Sequence, residues 1–145
     1  MNLSYKQTLF GSPAYEASLQ LRDEILRKPL GLSVELALDE EDGSFHIGCH
    51  DNLRLVGTLT LKPIDAVTLK MRQVAIAIDY QNKGVGTELV RFAEKFAAEA
   101  GYQMIIAHAR ETAVTFYRRM GYSVDEKMFL EVSLPHYRIS KELKA

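Results

Sequence analysis

The stretch VAIAIDYQNKGVGTEL, Val74 to Leu89, decides the fold. It opens on the small and apolar residues of a buried strand, passes through Gln81-Asn82-Lys83-Gly84-Val85-Gly86, and enters a helix. Neither a proline nor an N-capping side chain marks that helix start. An uncapped start leaves the first backbone N–H groups free. Together with the positive end of the helix dipole they suit an anion such as phosphate. Gly84 and Gly86 let oxygens approach the backbone where a Cβ would obstruct them. A tight strand-to-helix turn that binds nothing fits the same residues, so at this level both readings stand.

Downstream, Val85, Leu89, Phe92/Ala93, Phe96 and Ala100 recur at the period of an amphipathic helix, which Gly101 ends. YQMIIAHA (102–109) is a short buried strand, and ETAVTFYRRMGY (111–122) a second helix with Ala113, Phe116, Tyr117 and Met120 on its inner stripe. YSVDEKMFLEVSL (122–134) and HYRISKEL (136–143) supply two further strands. Upstream, VTLKMRQVAIAI (67–78) is a strand whose phase slips: Leu69 and Met71 alternate on one face, Val74, Ile76 and Ile78 on the other. Either a β-bulge near Arg72-Gln73 or burial on both faces accounts for that. Strands over 44–49 and 53–62, joined at Asp51-Asn52, form a hairpin before it. The first helix starts at the Ser12 N-cap and Pro13, with Glu16 available for a capping box. It carries Tyr15, Leu19, Leu21/Arg22, Ile25 and Leu26 inward and stops at Pro29 and Gly31. The order α, β, β, β, α, β, α, β, β predicts an α+β fold, a mixed sheet covered by helices on both faces.

The chain has 145 residues, 47% of them hydrophobic, which fits one domain over 1–145 with a substantial core. Eighteen basic and 19 acidic residues leave a net charge of -1, so no global field draws it to nucleic acid or membrane. The N-terminus shows no charged leader followed by an apolar run, and no segment approaches the roughly 18 apolar residues of a membrane span. A soluble, cytoplasmic protein is the expectation. Cys49 is alone, which rules out an internal disulfide and favours a small core residue. No metal-ligand cluster is visible.

Two nucleotide motifs fail at the glycine loop. A P-loop needs Gly-x4-Gly-Lys-[Ser/Thr], which is absent, and the dinucleotide fingerprint needs a third glycine where this chain has Leu89. VAIAIDYQNKGVGTELV instead resembles the acetyl-CoA-binding motif of the GNAT superfamily of N-acetyltransferases, [Gln/Arg]-x-x-Gly-x-[Gly/Ala], through Gln81, Gly84 and Gly86. ETAVTFYRRMGY is similar to the family's second motif through Ala113, Phe116, Tyr117, Gly121 and Tyr122, and the spacing between the two is typical. The resemblance covers about residues 44–132, and FLEVSLPHYRISKEL is similar to a subgroup of small bacterial members.

That resemblance implies a mostly antiparallel sheet with two strands splayed at the cofactor site, and acetyl-CoA as co-substrate. Val74, Ala75 and Ile76 would hold the pantetheine arm as an added strand. The pyrophosphate would sit on amides of Asn82, Lys83, Gly84, Val85, Gly86 and Thr87, with Gln81 also binding the cofactor. Phe116 and Arg110 would line the same site. Many relatives carry Asn where this chain has Arg110, so that residue is expected to reach a phosphate or an acidic substrate instead. Arg118 and Arg119 either approach the cofactor's 3′-phosphate or simply face solvent.

Attack of an amine on a thioester creates an oxyanion and expels a thiolate, so the site needs N–H donors and a proton source. A phenol near pKa 10 is close to a thiol's roughly 8.5, which makes Tyr117 the expected general acid. A tyrosine packed in the core with a satisfied hydroxyl is the alternative. Glu35, His46, His108, Glu131 and His136 are candidate bases. Glu131 and His136 are favoured because relatives place substrate-facing residues around VSLP. The function expected is direct acetyl transfer to a primary amine, on a small molecule or a peptide. A non-catalytic acyl-CoA-binding or sensing module is the alternative from another class. Relatives often dimerise, and the C-terminal strands offer edges for a homodimer.

Overall fold

The computed structural model of the protein describes residues 1–31 and 41–144. Its sheet runs β1 (Leu3–Thr8), β2 (Phe45–Asp51), β3 (Arg54–Pro63), β4 (Thr68–Ile76), β5 (Met104–Arg110), β8 (Leu134–Glu142) and β6 (Ser123–Val124), with β7 (Phe129–Glu131) also paired to β8. Every pairing is antiparallel except β4 with β5. The fold is therefore α+β with a mostly antiparallel open sheet, as the sequence led us to expect.

Four boundaries differ from the sequence reading, each for a local reason. β1 was not anticipated: it is an edge strand in which Thr8 alone is fully buried, so its hydrophobic alternation is faint. The first helix is regular only over α1 (Pro13–Arg22), then widens into a π turn over Asp23–Arg27 and tightens at Lys28–Leu30 before Gly31 ends it at φ 69°. The segment 122–134 is two short strands, not one, with Asp125 accepting from the Lys127 N–H between them. β4 ends at Ile76, and Ile78–Tyr80 form a 3₁₀ turn.

Helices cover both faces. Arg22 of α1 donates to Thr60, while Leu89 of α2 (Val85–Glu99) lies against Gly57, three residues away on the same strand and so on the opposite face. The main core fills the space under α2. Leu59, Leu61, Leu69, Val90, Ala93, Ala97 and Ile105 are all fully buried there, with Cys49 among them.

The phase slip in β4 is a bulge. Leu61 faces Met71, Thr60 faces Arg72 and Gly57 faces Ile76, so the four residues 57–60 of β3 match the five residues 72–76 of β4, and Gln73 takes up the excess at φ 56°. Both Met71 and Ile76 consequently lie on the α2 face despite their opposite parity. Just there the sheet divides. β4 and β5 pair only over Thr68–Met71 and Met104–Ala107, so Arg72–Ile76 and His108–Arg110 diverge.

Candidate active site

The split between β4 and β5 opens onto the N-terminus of α2. Gly84 occupies the N-cap at φ 83°, a conformation that favours glycine, and no side chain caps the helix. Asn82 is left-handed too, at φ 60°. A Cβ on Gly86 would meet only Ile76 Cγ1 at 3.8 Å and Phe116 Cζ at 3.9 Å, ordinary contacts. Protein packing therefore does not demand this glycine, which leaves a cradle between Ile76 and Phe116 for something outside the chain.

Long-range clamps hold the loop in place. Arg54 grips Asp79 with two hydrogen bonds of 2.8 and 3.1 Å, and the Tyr80 hydroxyl donates to Asp51 on the neighbouring hairpin. Lys83 lies over the Tyr80 ring. Gln81 Nε2 donates to the Ile76 carbonyl at 2.9 Å, which ties the loop to the end of β4 and uses one of that oxygen's two lone pairs. Sequence singled out none of Arg54, Asp79 or Tyr80, and Asp51 only as a turn residue of the hairpin. Asp79-Tyr80 directly precede the loop, but their partners lie 25 and 29 residues away.

Tyr117 lies on α3 (Val114–Arg119), buried against Phe116 and Tyr122, with ring centroids 5.0 and 5.4 Å apart. Burial alone raises its phenol to about 12. That keeps it protonated, as an acid must be, but widens the gap to an ordinary thiol. Transfer becomes balanced if the same dry surroundings raise the leaving thiolate as well.

Three of the candidate bases come together on the α1 face, past the split. Glu131 Oε1 lies 3.0 Å from His108 Nδ1, and Oε2 lies 3.5 Å from His136 Nε2. His136 is buried, and its Nδ1–H donates to the Leu134 carbonyl at 2.8 Å. With Nδ1–H of His108 given to the carboxylate, its Nε2 lone pair remains for a substrate proton. Desolvation pushes the Glu131 carboxyl up, yet the His108 hydrogen bond and the charges of His108, His136 and Lys70 outweigh it and hold the group below its usual range. An easily ionised carboxylate is a poor base but a good anchor for an imidazole.

His46 belongs elsewhere. It is fully buried, with Nε2–H donating to the Glu41 carbonyl at 2.7 Å and Nδ1 3.2 Å from Arg22 Nη2. Both ring nitrogens are committed to structure. Glu35 lies outside the described residues. Arg110 ends β5 at the open end of the split, opposite His136 in register, and Arg118 and Arg119 are exposed in the last turn of α3. Among the described residues, no group of three or more His, Cys, Asp and Glu could hold a metal ion, and no helix is long and apolar enough to cross a membrane.

Comparison with known proteins gives the family of the chain. Residues 10–122 match the model of the acetyltransferase (GNAT) family. The chain is 32% identical over 124 residues to the uncharacterized N-acetyltransferase YjcF of Bacillus subtilis, covering 84% of this chain and 88% of that protein. Among solved structures it is similar to Escherichia coli ElaA (TM-score 0.83, 17% identity, 97% of this chain and 99% of that one). It is also similar to a GNAT family acetyltransferase from Elizabethkingia anophelis with acetyl-CoA bound (TM-score 0.77, 18% identity, 98% of this chain and 99% of that one). Loop, split sheet and family match agree: the chain belongs to the acetyltransferase (GNAT) family of enzymes.

Proposed function

We propose that the protein is an acetyl-CoA-dependent N-acetyltransferase that moves an acetyl group to a primary amine by direct attack in a ternary complex. The observation that carries this is the split between β4 and β5, which opens onto an uncapped helix start beside a glycine that internal packing does not require. Acetyl-CoA supplies the thioester when bound. The amides of Asn82 to Thr87 and the Lys83 side chain suit its pyrophosphate, and the unpaired edge of β4 over Val74, Ala75 and Ile76 suits its pantetheine arm.

The chain's own groups then move protons. His108 Nε2, oriented by Glu131 with His136 behind it, takes a proton from the incoming ammonium. The amine nitrogen would form the C–N bond before the C–S bond breaks, Tyr117 giving its hydroxyl proton to the departing sulfur and being restored by the second proton that the nitrogen loses as the amide forms. A free N–H of the split strand stabilises the oxyanion in between. The oriented His108 supports transfer over the binding-only module, whose main attraction was the lack of a recognisable base. In this reading the whole chain acts as one domain in the cytoplasm.

Isothermal titration tests the first half. Acetyl-CoA is expected to bind at micromolar levels where ATP and NAD do not, and a folded, CoA-free sample that takes up no acetyl-CoA would end the proposal. Thiol release in the presence of amines tests the second half and separates an enzyme from a binding module.

A further inference from the structure

Lys141 breaks the pattern of its strand. It stands directly opposite Ile105 in the β5–β8 ladder and two residues from Ile139, both of them buried. Its side chain therefore leaves the sheet on the face that packs under α2, where period alone would put an apolar residue. Two acceptors hold its ammonium there: Glu94 Oε1 of α2 at 3.0 Å, and the carbonyl of Met120, which caps the end of α3, at 2.7 Å. The same ammonium lies 5.5 Å from the centre of the Tyr122 ring. Glu94 Oε2 accepts from the Tyr122 hydroxyl at 2.8 Å, so both oxygens of the carboxylate are used. Three elements, α2, α3 and β8, are thus tied at one point.

An ion pair largely shielded from water adds little stability beyond what apolar side chains of the same size would give. What it supplies is direction, because hydrogen bonds fix where a ring sits while apolar contacts let it slide. The ring fixed here is that of Tyr122, which stands edge-on to Tyr117 with centroids 5.4 Å apart. The two tyrosines differ in one respect. Tyr122 has its hydroxyl tied to Glu94, whereas the Tyr117 hydroxyl has no hydrogen-bond partner among the described residues. Moreover, α3 is six residues long, too short to hold its own shape, so the aim of Tyr117 depends on the rings of Phe116 and Tyr122 packed against it.

We propose that Lys141 and Glu94 are positioning residues for the transfer: they hold Tyr122, and Tyr122 holds the Tyr117 phenol toward the departing sulfur. This rests on Tyr117 being the acid of the transfer reading. Neither Lys141 nor Glu94 meets the reacting atoms. The backbone at the end of α3 closes without them, since the N–H groups of Met120, Gly121 and Tyr122 donate to the carbonyls of Phe116, Arg118 and Tyr117. Loss of the ammonium therefore loosens a ring rather than unwinding a helix, and proton delivery suffers before cofactor binding does.

The test uses the full chain saturated with acetyl-CoA and follows thiol release in the presence of hydroxylamine. That nucleophile is already largely neutral at pH 7, so the base does not limit the comparison. Lys141→Met is expected to slow release about tenfold, as a misdirected catalytic group does, while calorimetry shows acetyl-CoA affinity unchanged. Tyr122→Phe keeps the ring and removes only its bond to Glu94. It should slow release by a smaller factor, and it carries the same comparison should Lys141→Met not fold. In a Tyr117→Phe background either change should cost nothing further, because the group it aims is gone. Losses that multiply would mean that the cluster acts elsewhere, and would overturn the proposal. So would full turnover in Lys141→Met, or a loss of acetyl-CoA affinity as large as the loss of rate, and both of these leave Tyr117 standing as the acid. Unchanged release in Tyr117→Phe alone, or no release by wild type above the uncatalysed rate, would remove the acid reading and this inference with it.

Discussion

Two clusters in this protein use nearly the same residues to opposite ends. Under α1, Arg22, Glu41, His46, Tyr15 and Thr60 form a network in which Arg22 and Glu41 meet at 2.7 Å, Tyr15 donates to Glu41 at 2.8 Å, and all five side chains are almost fully buried. Past the split, His108, Glu131 and His136 repeat the histidine–carboxylate pairing, but Glu131 is about half-exposed and His108 keeps one nitrogen open. Commitment of the histidine's two ring nitrogens and solvent access separate them, not residue type. A histidine with both nitrogens committed in a sealed core fastens a helix to a sheet, whereas one with a single anchored nitrogen at a cleft can take up a proton.

The sharpest way to break this contrast is to remove the open member. His108→Gln is expected to lower kcat/KM by about 10²–10⁴-fold, as loss of a general base does, with little change in stability. Tyr117→Phe should fall in the same range if the phenol is the acid. Unchanged turnover in either variant, measured by thiol release, would strip that residue of its role. The sealed network should behave in reverse. Glu41→Ala leaves the Arg22 charge uncompensated in the core, at an expected loss of about 3–5 kcal/mol in denaturant unfolding. A loss below 1 kcal/mol would show the network to be less closed than it looks.

Smaller effects sharpen the same line. Glu131→Gln keeps the shape but not the charge that orients His108, and about 10–100-fold in kcat/KM is expected, by analogy with outer-shell anchors of metal-bound imidazoles. For His46, burial depresses the imidazole below its ordinary value, the case in which folding favours the neutral ring. The stability tied to it is fully present above the unfolded value of about 6.5 and is lost as pH falls toward the folded one. Wild type should therefore lose stability below pH 6.5 more steeply than His46→Gln in a pH series of unfolding curves. Least of all, Gly86→Ala should leave the fold unharmed or gain about 0.4–1 kcal/mol, since its Cβ meets only ordinary contacts. It should nonetheless weaken acetyl-CoA binding by calorimetry, because it fills the cradle. Equal affinity would mean that the cradle is not used.

This contrast also marks where the sequence stopped being informative. Period and punctuation are local, so α2, the hairpin and the β4 phase slip were all visible in it, and so was the glycine loop. β1 was not, because an edge strand with one fully buried residue leaves almost no alternation to detect. The two histidine clusters were equally opaque. His46 and His108 both lie in apolar strands, and their difference rests on partners such as Thr60 and Glu131, brought together across 14 and 23 residues. Arg22 shows the same limit, since the helical stripe left its face ambiguous with Leu21 and only the network explains a fully buried guanidinium. Near the loop, the Arg54–Asp79 and Tyr80–Asp51 clamps depend on a hairpin tip folding back, which no window around Asp79 reveals.

The bulge at Gln73 also makes catalytic geometry hang on a matter of counting. Five residues of β4 are matched to four of β3, so the strand carries one more residue than a regular ladder would accept. Deleting that single position would not remove any side chain proposed to do chemistry. It would put Val74 and Ile76 back in step with the ladder, relieve a left-handed glutamine, and favour continued pairing of β4 with β5 along the line of the split. Deleting Gln73 is thus expected to close the sheet, read as loss of acetyl-CoA binding by calorimetry in a variant that still folds, and insertions or losses in β4 should be far less tolerated than substitutions at the same place.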